Sequence, residues 1–158
     1  LFAGDRYNFA NRIREWKHNE KFVLVDRYVY SNIAYQCAKL NTYQERKQLS
    51  DWILKTEYDY FKIPEPDLSI YLDVPLSFVE SRLKNDRNGA DREYLQGKKD
   101  IHEEDIGFQK NVKDVYEMIF SEYSDMIKID CKKSKHQIMP ADDIFQQIIN
   151  KLKDNQML

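Results

Sequence analysis

The sequence lacks the features of membrane-spanning, secreted and nucleic-acid-binding proteins. No apolar run approaches the roughly 20 residues that cross a bilayer, and no basic segment followed by an apolar one opens the chain. Lys and Arg (25) nearly balance Asp and Glu (27), and the net charge of -2 gives no overall positive field that would attract nucleic acid or an anionic membrane. We therefore predict that neither is a partner.

Cysteine and glycine are also scarce. The two cysteines, Cys37 and Cys131, lie far apart without the spacing of a metal site, and they fit a reducing compartment better than a disulfide scaffold. We therefore predict a cytoplasmic protein. The four glycines are too scattered for a glycine-rich phosphate-binding loop of the form G-x-x-x-x-G-K-S/T. Because the net charge is slightly negative, any positive charge that binds phosphate must be local.

Apolar residues, in contrast, are plentiful: 42% of the chain is hydrophobic and 13% aromatic, which suffices for one domain with a buried core. Their periodicity predicts helices over residues 2–16, 31–40, 43–61, 75–83, 103–123 and 140–153, and strands over residues 22–25, 68–74 and 126–130. The charged segment 84–100 is predicted to be a loop. Because strands alternate with helices, the predicted class is α/β with a parallel sheet.

A candidate site lies where the first predicted strand ends. Residues 22–25 are apolar on both faces, as in a central strand covered by helices, and Asp26 and Arg27 follow directly. Ligands of open parallel sheets bind beyond the carboxyl ends of the strands. An Arg in that place can hold a phosphate through two parallel hydrogen bonds, and an Asp can accept one from a Mg²⁺-bound water. Phosphoryl transfer needs such a pair.

Three further side chains, Ser31, Asn32 and Tyr35, lie about one helical turn apart just beyond this pair. They would offer polar and aromatic groups to one bound molecule. The simpler interpretation is a surface Asp-Arg pair, a serine that caps the helix and a packed tyrosine. Spacing alone leaves both interpretations open.

Residues 24–36 resemble the signature of the thymidylate kinase family, in which a strand ends in Asp-Arg-Tyr and is followed by Ser-x-x-Ala-Tyr. Residues 1–7 resemble the family's Leu-Phe-x-x-x-Arg-Tyr/Trp segment, which precedes that strand at a similar distance. Weaker likeness at residues 66–75 and 100–103 extends the resemblance over nearly the whole chain. It implies a single α/β domain, residues 1–158, with the three-layer fold of P-loop nucleoside monophosphate kinases, an acceptor site within residues 1–40 and a lid at about residues 82–102.

The resemblance also implies a reaction, the transfer of a phosphoryl group from MgATP to dTMP to give dTDP for dTTP biosynthesis, carried out by a homodimer. For the base, it implies that Phe2 stacks on the thymine ring, that Arg6 hydrogen-bonds an exocyclic oxygen and that Asn32 reaches the pyrimidine edge. Arg6 falls on the apolar stripe of the first predicted helix, where a charged side chain needs an acceptor or a path to solvent. For Phe2 alone, packing in the core is the simpler interpretation.

For the phosphate and the sugar, the resemblance implies that Arg27 binds the dTMP phosphate. Asp26 would lie near the phosphates and contact Mg²⁺ indirectly, through water, and both residues would be catalytic. Ser31 belongs to the signature and is assigned to the substrate site. Tyr35 would lie under the deoxyribose, where its ring leaves no room for a 2′-hydroxyl group.

The basic segment 82–99 resembles the lid that closes over ATP in this family. We predict that Arg82, Arg87 and Arg92 bind ATP and that Arg87 also takes part in catalysis at the transferred phosphoryl group. The alternative is a solvated charged loop, since acidic residues are interspersed among the basic ones. The segment departs from the common family form in one respect, because Ile and His follow Asp100 where an Arg is usual.

The missing glycine-rich loop leaves three hypotheses open. The chain opens at Leu1 without an initiator methionine, as a fragment would, so we expect the loop and the first strand in a preceding segment and expect the chain alone to be inactive. A related deoxynucleotide or deoxynucleoside kinase would differ in its acceptor. A natural relative without the loop would instead be a non-catalytic nucleotide-binding module.

Overall fold

The computed structural model describes residues 2–85, 106–134 and 137–158, without the side chains of Phe2 and residues 83–85. The helices are α1 (Phe2–His18), α2 (Val29–Cys37), α3 (Tyr43–Leu54), a π-helix (Lys55–Tyr60), α4 (Leu76–Asn85), α5 (Ile106–Glu122) and α6 (Ala141–Asp154). The strands are β1 (Ser69–Asp73), β2 (Met126–Asp130), β3 (Lys132–Ser134) and β4 (Gln137–Ile138). No helix in these described ranges is long and apolar enough to cross a membrane.

The chain divides into two compact units. The first unit combines Leu1–Asp67 with Asn111–Asp125, and the second combines Leu68–Lys110 with Met126–Leu158. In the first unit, α2 packs against α3. The buried side chains of α2 recur at helical spacing and form one apolar face. These are Val29, Tyr30, Ile33, Ala34 and Cys37.

The start of α3 follows from a local sequence signal. Thr42 precedes the helix, and its hydroxyl accepts a hydrogen bond from the backbone N–H of Glu45 at 3.2 Å, while the Glu45 carboxylate accepts one from the backbone N–H of Thr42 at 3.1 Å. This reciprocal pair is a capping box and satisfies two donors that would otherwise have no partner. The helix continues into the π-helix, so the single helix predicted over residues 43–61 is confirmed in extent but changes its winding after Leu54.

The second unit contains the parallel strands that the sequence predicted. β1 and β2 pair in parallel from Ser69 beside Met126 to Asp73 beside Asp130, which confirms the mixed α/β class with a parallel sheet. α6 packs against β2. At the carboxyl end of β1, the buried carboxylate of Asp73 accepts a hydrogen bond from Nζ of Lys132 at 3.3 Å. The short antiparallel pair of β3 and β4 was not predicted.

The strand predicted over residues 22–25 is wrong. This segment is irregular, and within the described ranges no strand pairs with it. Three of its four apolar side chains are consequently exposed to solvent, Leu24 at 85%, Phe22 at 57% and Val25 at 45%. An apolar run of strand-forming residues becomes a strand only where a neighbouring backbone completes the hydrogen-bond ladder, which the local pattern does not reveal.

The buried thiol of Cys37 gives a prediction about reactivity. Cys37 is fully buried and free, and burial raises the pKa of its thiol to about 11. Because a thiolate is the reactive form, we expect iodoacetamide at pH 8 to label Cys37 only after urea unfolds the chain, as followed by peptide mass spectrometry. Between about pH 9 and pH 11 the thiol stays protonated in the folded chain but ionises in the unfolded chain. The contribution of Cys37 to the free energy of unfolding is therefore lost as the pH rises through this range. Fast labelling of the native protein would contradict the prediction.

Candidate functional site

A largely buried ion pair joins α1 to the π-helix in the first unit. Nε of Arg6 donates to Oε2 of Glu57 at 2.6 Å, and Nη2 of Arg6 donates to Oε1 at 2.5 Å. The two side chains are 13% and 2% exposed. Glu57 turns inward because it continues the buried face that Ser50 and Ile53 form on α3. A two-point contact between guanidinium and carboxylate fixes the orientation of both groups.

Asn32, in the first turn of α2, joins this pair. Its Nδ2 donates to Oε1 of Glu57 at 3.0 Å, so the carboxylate accepts three N–H groups in all. Tyr28 covers the pair from another side, with its ring centroid 5.9 Å from the guanidinium carbon of Arg6. Burial raises the pKa of the Tyr28 hydroxyl, which donates to the carbonyl of Pro64 at 2.9 Å. The structure thus brings together Arg6 and Asn32, two predicted site residues, through Glu57, which the sequence did not identify.

Arg27 stands in an exposed turn with an unusual backbone. Its φ is 62°, in the left-handed region that costs a residue with a Cβ about 1–2 kcal/mol. Its guanidinium carbon lies 5.2 Å from the ring centroid of Tyr35, and Nη2 lies 3.4 Å from the Tyr35 hydroxyl oxygen. Asp26 is exposed beside it. Glu20, Lys62 and Gln156 also have a positive φ, so the candidacy of Arg27 for binding rests on its side chain rather than on its backbone.

Ser31 does not cap α2. The helix begins at Val29, and its N-cap is Tyr28, whose side chain makes no capping hydrogen bond. Ser31 instead hydrogen-bonds the Tyr116 hydroxyl on α5. Burial raises the pKa of Tyr116, while the bond from Ser31 opposes that rise, the nearby Tyr35 adds to it and the charge of Arg27 lowers it. Ser31, Tyr35 and Arg27 therefore share one neighbourhood with Tyr116.

A groove of about 240 Å³ runs between α1 and residues 23–28 in the first unit. Arg6 and Arg27 both line it, together with apolar side chains of the two segments. A larger open depression of about 720 Å³, around Arg14, Lys17 and residues 58–67, contains none of the predicted site residues. The two predicted acceptor-site arginines thus border one groove.

Four predicted site residues remain: Phe2, Arg82, Arg87 and Arg92. Phe2 is the first residue of α1, but the prediction for its side chain lies outside the described side chains, and Arg87 and Arg92 lie outside the described residues. Arg82, in the second unit, is exposed on α4 with its guanidinium 5.4 Å from the ring of Phe78. Across the described part of the chain, no group of three His, Cys, Asp or Glu residues could hold a metal ion.

The backbone of Arg27 can be tested separately from its side chain. Arg27→Gly should be more stable than Arg27→Ala by about 1 kcal/mol in urea unfolding, because glycine adopts a positive φ without strain. Arg12 provides the matched control, since it is exposed and lies within α1. There the order should reverse, with glycine about 1 kcal/mol less stable than alanine. Equal stabilities at position 27 would show that the turn is not strained.

Comparison with known proteins agrees with the two sequence motifs. The family model described as thymidylate kinase matches residues 1–141. A probable thymidylate kinase 1 of Saccharolobus solfataricus is 32% identical over 88% of this chain and 61% of its own length. A thymidylate kinase of Leuconostoc mesenteroides is 32% identical over 80% of this chain and 54% of its own length. A probable thymidylate kinase of Methanococcus maripaludis is 34% identical over 98% of this chain and 67% of its own length.

The chain therefore spans between about half and two thirds of the length of these relatives. The match nevertheless covers both motifs, at residues 1–7 and 24–36, and most of the chain beyond them. The resemblance stated from those motifs is confirmed, and the chain belongs to the thymidylate kinase family.

Proposed function

We propose that the protein transfers the terminal phosphoryl group of ATP to dTMP, giving dTDP. Membership of the family supports this reaction. The observation that carries it to particular residues is the groove that Arg6 and Arg27 both line, with Asn32 held beside Arg6 through Glu57. Arg6 suits an uncharged base because the buried carboxylate of Glu57 already balances its charge. The exposed Arg27 suits a phosphate.

In this proposal, Arg6 and Asn32 hydrogen-bond the pyrimidine, and Phe2 stacks on its face. Arg27 binds the dTMP phosphate, and its contact with Tyr35 holds the tyrosine ring near the sugar. Ser31, which hydrogen-bonds Tyr116 of α5, is proposed to contact the substrate from the first turn of α2. These roles need no covalent intermediate, because phosphoryl transfer is catalysed mainly by positioning and by electrostatic stabilisation.

The ATP side of the proposal rests on the family alone. Mg²⁺ is commonly held by one or two carboxylates together with waters and substrate phosphates, and the exposed Asp26 beside Arg27 fits an indirect, water-mediated contact of that kind. Bound Mg²⁺ would neutralise charge on the transferred group. Arg82, Arg87 and Arg92 are proposed to bind ATP from a lid at about residues 82–102, with Arg87 catalytic.

The remaining proposals concern the whole protein. We propose one thymidylate-kinase-like domain over residues 1–158 with the three-layer P-loop kinase fold, the glycine-rich loop being supplied by sequence other than these residues. A homodimer is proposed from the family resemblance and is checked by sedimentation equilibrium. A reducing, cytoplasmic location is supported by the two free thiols, Cys37 and Cys131, both buried.

The activity is tested by a coupled assay for ADP release on the full-length protein. With MgATP and each of dTMP, dUMP, dGMP and thymidine as acceptor, dTMP should give the highest kcat/KM. Fastest turnover of thymidine would indicate a nucleoside kinase. Binding of dTMP without any turnover would indicate a non-catalytic nucleotide-binding module, and no turnover with any acceptor would overturn the proposed kinase activity.

A further inference from the structure

We infer that Glu57 fixes the hydrogen-bonding polarity of Asn32 and so determines which pyrimidines the base site accepts, an inference that rests on the proposed function. A carboxylate can only accept hydrogen bonds. Oε1 of Glu57 lies 3.0 Å from Nδ2 of Asn32, so the amide nitrogen has to face Glu57. The amide oxygen, Oδ1, is then directed away from the carboxylate and is available as an acceptor.

The same carboxylate fixes Arg6. Nε and Nη2 of Arg6 both donate to Glu57, and within the described ranges no residue hydrogen-bonds Nη1 of Arg6 or Oδ1 of Asn32. Both side chains donate to Oε1 of Glu57, so the Arg6 guanidinium and the Asn32 amide lie next to each other. The network therefore presents a donor from Arg6 and an acceptor from Asn32.

This polarity matches one class of pyrimidine. Thymine and uracil carry an acceptor, O4, next to a donor, the N3–H group. Cytosine has the opposite order, with an amino donor at C4 and an unprotonated acceptor at N3. Cytosine would place donor against donor and acceptor against acceptor, which leaves buried polar groups without partners. Glu57 is thus a positioning residue: it contacts no substrate itself and sets what Arg6 and Asn32 can recognise.

Glu57→Gln in the full-length protein tests the inference. A glutamine offers one acceptor oxygen where glutamate offers two, and its N–H₂ group can donate to Oδ1 of Asn32, so the asparagine can turn. We expect the preference for dTMP over dCMP, measured as the ratio of dissociation constants by calorimetry, to fall about tenfold or more. The ratio between dTMP and dUMP should not change, because both bases present the same edge to the network. The loss for dTMP should appear in KM rather than in kcat.

Two further variants separate polarity from structure. Glu57→Asp keeps an acceptor-only group and should retain the dTMP preference within about threefold, even if all affinities fall together. Asp59→Asn, an exposed carboxylate of the same π-helix, should change nothing. Unchanged discrimination in a folded Glu57→Gln protein overturns the inference, and so does an equal loss in Glu57→Asp. Failure of the proposed function is a different result, namely a wild-type protein that binds none of the three nucleotides.

Discussion

Glu57→Ala should lower the free energy of unfolding by about 3–5 kcal/mol, the cost expected when one partner of a buried ion pair is removed. The substitution leaves Arg6, only 13% exposed, without the carboxylate that accepts two of its N–H groups, and it removes the acceptor of Asn32. The Arg6 charge would lose its partner and would still be largely removed from water, which is unfavourable. Urea unfolding monitored by circular dichroism measures the change.

Two variants identify the cause of that loss. Asp59→Ala removes an exposed carboxylate from the same π-helix and should change the unfolding free energy by less than about 0.5 kcal/mol. The double variant Arg6→Met with Glu57→Leu removes both charges and should recover the part of the loss that comes from the unpaired Arg6 charge, because apolar groups of similar volume often replace a buried ion pair without loss. Asn32 still lacks its acceptor in this variant, so that part of the loss should remain. A Glu57→Ala variant that loses under about 1 kcal/mol would show that Arg6 has another escape from burial.

The sequence identified Arg6 of this ion pair but not Glu57. Arg6 was recognisable because it interrupts the apolar stripe of α1 and belongs to a family motif. Glu57 gave a weaker signal of the same kind, since Ser50, Ile53 and Glu57 follow one another at helical spacing on a single face. A charge on each of two apolar faces suggests a buried pair, but the sequence does not state which faces meet.

Other parts of the site depend on contacts that no local pattern encodes. Tyr116 belongs to the first unit although it is 85 residues from Ser31 in the sequence, so their hydrogen bond could not be predicted from a local pattern. A helix cap therefore remained an alternative interpretation of Ser31. The left-handed backbone of Arg27 is equally hidden, since arginine has no preference for that region. The parallel pairing of β1 with β2, by contrast, was predictable from alternating helices and strands.

Arg27→Ala should weaken the binding of dTMP by about 100-fold in the full-length protein, because a phosphate that leaves water needs the two parallel hydrogen bonds of a guanidinium. Arg27→Lys keeps the positive charge but loses the two parallel hydrogen bonds. Its affinity for dTMP should therefore lie between those of the wild type and Arg27→Ala. Calorimetric titration with dTMP measures each dissociation constant. The unfolding free energy should change little, because Arg27 is exposed.

Thymidine and Arg12 provide the controls that assign this effect to the phosphate. Thymidine carries the same base and sugar without a phosphate, so its affinity should be nearly equal in wild type and Arg27→Ala. Arg12 is also exposed and lies over an aromatic ring, with its guanidinium 5.1 Å from Trp16, but it does not line the groove that Arg6 and Arg27 share. Arg12→Ala should therefore leave dTMP binding unchanged. If Arg27→Ala weakened thymidine and dTMP equally, Arg27 would act through Tyr35 and the sugar, and the phosphate would need a different partner.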